Sequence, residues 1–154
     1  MTGRASLALV GALLLLAGCG AGVPRDSTGQ VTAAATTDAF SIKVGDCVGK
    51  VDGDSTDKLP LLPCAEKHSW EAFAASDLTG ADFPGNAEVK DQAEKACGVA
   101  FEAFIGIAAE DSRYEVTFLT PTRETWTQAG DREVVCLVGT SSGGIIGSLR
   151  GIAK

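Results

Sequence analysis

Cys64, His68 and Glu71 fall close together, and they are the side chains best suited to metal or acid–base chemistry. His68 is the only histidine in the chain, and imidazole changes charge near neutral pH, which makes it the natural candidate for a base or a ligand. A thiolate, an imidazole and a carboxylate would suit zinc, but only if the thiol is free. A serine hydrolase built on His68 needs partners gathered in space rather than in sequence. No serine sits in a nucleophile-elbow pattern, and Ser141-Ser142-Gly143-Gly144 reads as a hairpin turn. The catalytic alternative is therefore a hydrolase using His68 as general base; no catalytic residue, metal ligand set or cofactor is assigned.

Other candidates have structural explanations close at hand. Asp52, Asp54 and Asp57 lie in one loop, yet the glycine and distal glutamate of a calcium loop are missing. Gly130 supplies a positive φ, Asp131 satisfies the turn, and Arg132 is expected to pair with a carboxylate such as Glu71 or Asp46. Trp70 and Trp126 offer either a binding platform or core volume. The glycine-rich tail from Gly139 to Gly151 has no following helix and no P-loop lysine, so it does not cradle phosphate.

These residues must be positioned by a small domain. The chain has 154 residues, 45% apolar and 21% charged, which suits one globular unit. Its net charge of −7 argues against a nucleic-acid partner. Residues 1–18 carry Arg4, an apolar core from Leu7 to Leu16 and small residues after it, the layout of a signal peptide. The apolar run is shorter than the about 20 residues a membrane span needs. Leu16-Ala17-Gly18-Cys19 resembles the lipobox of bacterial lipoproteins. That resemblance implies cleavage before Cys19, acylation of its thiol and anchoring on the extracytoplasmic face of the membrane. Residues 19–38 are small and polar and read as a flexible tether reaching roughly 25 Å.

Cys47, Cys64, Cys97 and Cys136 remain, and outside the cytoplasm four cysteines imply two disulfides with three possible connectivities. The extracytoplasmic domain is expected over residues 39–154. Phe40, Ile42 and Val44 alternate as a half-buried strand, and Leu59 to Cys64, with two prolines, suits an edge. A strand over Ser69–Ala75 puts Trp70, Ala72 and Ala74 on one face. A helix from Ala87 to Ile105, with Asn86 as N-cap and Gly106 as stop, buries Val89, Ala93, Cys97, Ala100, Phe101 and Phe104. A strand through Tyr114, Val116 and Phe118 follows, then a short helix at Pro121–Gln128. The stretch Glu133–Val138 is apolar on both faces, as a central strand is. A last strand is expected near Ile145–Leu149. The fold class is α+β: a small antiparallel sheet packed on one main helix. This layout favours Cys97–Cys136, pinning helix to central strand, and hence Cys47–Cys64.

Gly45-Asp46-Cys47, Cys64-x3-His68-x2-Glu71, Phe83-Pro84-Gly85, Cys97 followed by Phe101, and Pro121-x4-Trp126-x3-Gly130-Asp131-Arg132-x3-Cys136 together resemble the septum-formation domain of actinobacterial exported proteins. Lys67 stands where that family usually has proline, and Ala72 where valine is common. The resemblance implies a cell-envelope protein linked to septum formation, without an established enzymatic activity. The expected role is a non-catalytic, lipid-anchored module contacting envelope or division proteins or the cell wall. Its expected contact surface is His68, Glu71, Trp126, Asp131 and Arg132; a small-ligand-binding lipoprotein is a further alternative.

Overall fold

The computed structural model describes residues 22–51 and 58–153. In chain order it forms β1 (Ala35–Thr37), β2 (Cys47–Val48), β3 (Leu59–Leu62), β4 (Trp70–Asp77), α1 (Asn86–Ile105), β5 (Glu115–Leu119), α2 (Arg123–Gln128) and β6 (Glu133–Gly139), with short 3-10 turns at Ala39–Ser41 and Ala109–Asp111. The strands make one sheet in the order β1-β3-β2-β4-β6-β5, and each neighbouring pair is antiparallel. This is the α+β architecture expected, stapled by Cys47–Cys64 and Cys97–Cys136.

Strand β6 explains why the sheet has two covered faces. Side chains alternate along a strand, so a run apolar throughout must be buried on both sides. Val134, Cys136 and Val138 point into a cluster with Val89, Ala93, Cys97, Phe101, Phe104 and Ile105 of α1. Val135 and Leu137 point the other way, into a second cluster with Val31, Ile42, Val48, Leu59, Leu61 and Ala72. The helix buries its apolar stripe on β4, β5 and β6, and Cys97–Cys136 fixes it at the centre of that stripe. Gly106 closes α1 in the left-handed region at φ 96°, where glycine carries no Cβ penalty. Gly85, not Asn86, holds the N-cap position. Glycine is also required where β4 and β6 approach at Gly139, because a Cβ there would stand 2.0 Å from the Ser69 carbonyl oxygen.

Several sequence expectations are corrected. The domain does not begin at Ala39. The described part of the expected tether is folded onto the sheet: Arg25 bridges Val31, Val31 is buried, and β1 pairs with β3 from Ala35↔Leu61 to Thr37↔Leu59. A polar composition hid this, because backbone pairing and one ion pair to buried Asp46 hold the segment in place of a large apolar face. Phe40 and Val44 are 59% and 50% exposed, and Phe40 sits in the 3-10 turn Ala39–Ser41, not in a strand; only Ile42 goes inward. β3 is interior, since β1 covers its outer side. Ala74 does not share a face with Ala72: a bulge between them inserts Phe73, and both Phe73 and Ala74 join the α1 side. Ile145 makes a single bridge with His68 instead of starting a strand. The signal segment, Cys19 and the aspartates at 52, 54 and 57 lie outside the described residues.

Candidate functional site

The five residues expected to form one surface occupy two ends of the β4–β6 ladder. His68 and Glu71 lie where Trp70 pairs with Gly139, whereas Trp126, Asp131 and Arg132 lie where Asp77 pairs with Glu133. At about 3.3 Å per residue, seven steps of strand separate these ends by roughly 23 Å. Three of the five are also shut away: His68 is 2% exposed, Glu71 3% and Trp126 2%. The expected shared surface does not form.

At the first end, β4 and the C-terminal segment are tied together. His68 exchanges both backbone hydrogen bonds with Ile145, each at 3.0 Å. The His68 Nδ1 sits 2.9 Å from the Glu66 carbonyl oxygen. A carbonyl only accepts, so Nδ1 donates this bond. The other ring nitrogen, Nε2, is buried with no hydrogen-bond partner among the described residues. The basic nitrogen a hydrolase would use is thus enclosed in protein. Glu71 accepts from the Ser148 hydroxyl at 2.7 Å and from the Leu149 amide at 2.7 Å, so its carboxylate is committed to holding the tail. Cys64 is bonded to Cys47, and its thiolate is lost to any metal. Among the described residues, no group of three histidine, cysteine, aspartate or glutamate side chains is gathered as a metal would require.

The second end is a knot that locks α2 to β6. Thr122 caps α2 through a reciprocal pair of bonds with Thr125. Asp131 then accepts from the Thr125 hydroxyl at 2.9 Å and from the Glu133 amide at 3.1 Å. Arg132 pairs with neither Glu71 nor Asp46. It donates to the carbonyls of Gly80, Ala81, Trp126 and Asp131, and its guanidinium lies 3.7 Å from the Trp126 ring centroid. Trp126 donates to the Ala81 carbonyl at 3.0 Å and meets Phe83 edge-on. Five donors in a rigid fork suit Arg132 to gather loop carbonyls in this way. Beside the knot, burial first, then Asp77 and Asp131, push the Glu133 carboxyl above its ordinary range.

Sequence reasoning missed the partner that Asp46 does take. Arg25 grips it with two bonds, 2.5 Å to Oδ1 and 2.8 Å to Oδ2, and Asp46 also accepts from the Lys43 amide at 2.8 Å. Asp46 is 2% exposed. Hydrogen bonding to it raises the Arg25 guanidinium above its usual value; burial opposes this, and the charge of the carboxylate adds a smaller upward push. The available signal was Asp26-Ser27-Thr28-Gly29. Asp26 there takes the Thr28 amide, the Thr28 hydroxyl and the Gln30 amide, making a tight turn that presents Arg25.

Comparison with known proteins bears on this arrangement. A family model described as septum formation matches residues 15–136. Uncharacterised membrane proteins from two strains of Mycobacterium tuberculosis are each 28% identical over 131 residues, covering 79% of this chain. The chain spans only 28% of the length of those relatives. No solved structure matches. Among the described residues, no helix is long and apolar enough to cross a membrane.

Proposed function

Since the chain belongs to the septum-formation family, we propose that it is a non-catalytic envelope module, held by an acylated Cys19 on the extracytoplasmic face of the membrane, that acts by contact with division proteins or the cell wall. The observation that carries the non-catalytic reading is the enclosure of His68. The chain's one imidazole spends Nδ1 on a backbone carbonyl and turns Nε2 into the interior. The other polar groups once grouped with it are occupied in holding segments together. Two disulfides suit an oxidising compartment, and the membrane-protein relatives suit an envelope location.

Two measurements on the protein from growing cells test this reading. Intact mass of the membrane-extracted chain should show a start at Cys19 with added acyl groups. A fluorescent fusion should concentrate at division septa. An unmodified N-terminus removes the anchor, and uniform envelope staining removes the link to septum formation.

A further inference from the structure

From the packing of residues 23–37 we infer that the domain does not float on a tether but sits flush on the lipid bilayer, with Phe40 as the side chain that enters the interface. This rests on the anchoring proposed above. Acylated Cys19 lies three residues before Gly22, and Gly22 already lines a groove of the folded domain. Three extended residues span at most about 11 Å. From Val23 onward the chain is committed: the Thr32 amide bonds the Pro24 carbonyl, Arg25 holds buried Asp46, and β1 pairs with β3. The slack that a free linker would supply is gone, so the face around Gly22 must lie against whatever surface Cys19 is fixed in.

The side chains on that face fit a bilayer. The groove, of about 920 Å³, is lined by Gly22, Arg25, Phe40, Lys43 and Lys58 among others. Phe40, which lines the groove, is among the few large apolar side chains of the described residues left open to water, and Ile42 just after its turn is buried. Lys43 and Lys58 line the same groove, where long stems can lie in the interface and ammonium groups reach lipid phosphates. The one carboxylate lining the groove, Asp38, accepts from the Ser41 hydroxyl. The chain as a whole is acidic, so lysines gathered where the anchor emerges complement the bilayer in a way the remaining surface does not. Val99, 83% exposed on the outer side of α1, stands across the sheet and should face water.

The test uses the full chain, processed and acylated by its own cells and reconstituted in phosphatidylethanolamine–phosphatidylglycerol vesicles with or without bromine on the acyl chains. Phe40→Trp and Val99→Trp are compared with the parent protein, whose Trp70 and Trp126 set the background. Both substitutions are at exposed positions. Bromine within the outer acyl boundary should quench the added Phe40→Trp emission at least about two-fold more than the added Val99→Trp emission. Equal quenching at the two positions, or stronger quenching at Val99→Trp, overturns the flush orientation. Intact mass on the same sample separates the two claims. An unacylated chain sinks the anchoring reading, whereas an acylated chain with Phe40→Trp unquenched sinks only the orientation.

Discussion

The two faces of the sheet are covered by different means. On one side α1 lays a stripe of Val89, Ala93, Cys97, Phe101 and Phe104 across β4 and β6, and the cover is apolar and covalently pinned. On the other, residues 23–34 close over the sheet with little apolar bulk and β1 extends its edge: Val31 points inward, β1 pairs with β3, and one ion pair closes on Asp46. The helical cover draws on burial at about 25 cal/mol per Å² of apolar surface. The strap draws on backbone pairing and on a charge that cannot be left alone. A face held by geometry and charge can be small, and that leaves it suited to lying between the domain and another surface.

The comparison breaks most severely at the helical face. Replacing Cys97 and Cys136 by alanine opens a cross-link spanning 39 residues, with an expected loss of about 4 kcal/mol on the chain-entropy account. Opening Cys47–Cys64, which spans 17 residues, should cost nearer 3 kcal/mol. Denaturant titration of the two variants checks the order. On the strap face, Arg25→Ala leaves buried Asp46, among the described residues, with the Lys43 amide alone, and about 3 kcal/mol should be lost. Protease sensitivity should rise in residues 22–37 before the helical face opens.

The smallest effect sharpens the picture at the far end of the ladder. Glu133 faces Asp77 across the strands and neighbours Asp131. Because its folded carboxyl titrates above the unfolded value of about 4.3, the native state is stabilised below that value and loses the benefit as pH rises through the folded pKa. Glu133→Gln should therefore raise neutral-pH stability by about 0.2–1 kcal/mol, as relief of a like-charged cross-strand pair does. Thermal melts should show the gain fading in acid. A gain that persists in acid would refute the electrostatic cause.

The same contrast decides how much of the fold is legible in the sequence. Helix α1, β6, β5 and the Cys97–Cys136 pairing follow from apolar periodicity, and each stands where expected. The strap carries no such period. Its instructions are a turn at Asp26–Gly29 and a single arginine, whose meaning depends on Asp46 being buried. Phe40, Ile42 and Val44 do alternate, but the local chain makes a 3-10 turn, so the pattern misled about the element while still marking one residue in and two out. The proposed contact surface failed for a related reason. Polarity near a disulfide says nothing about exposure, and His68, Glu71 and Arg132 spend their polar atoms on carbonyls, amides and one hydroxyl of segments distant in sequence or across a turn.

Hydrogen exchange across residues 23–37 of the intact protein tests most directly whether this segment belongs to the domain. The structure predicts slow exchange for the Asp26, Gly29 and Thr32 amides and for the paired amides of Ala35–Thr37, all lost together in Arg25→Ala. Exchange at the rate of an unstructured chain throughout the segment, in the native protein, would contradict it.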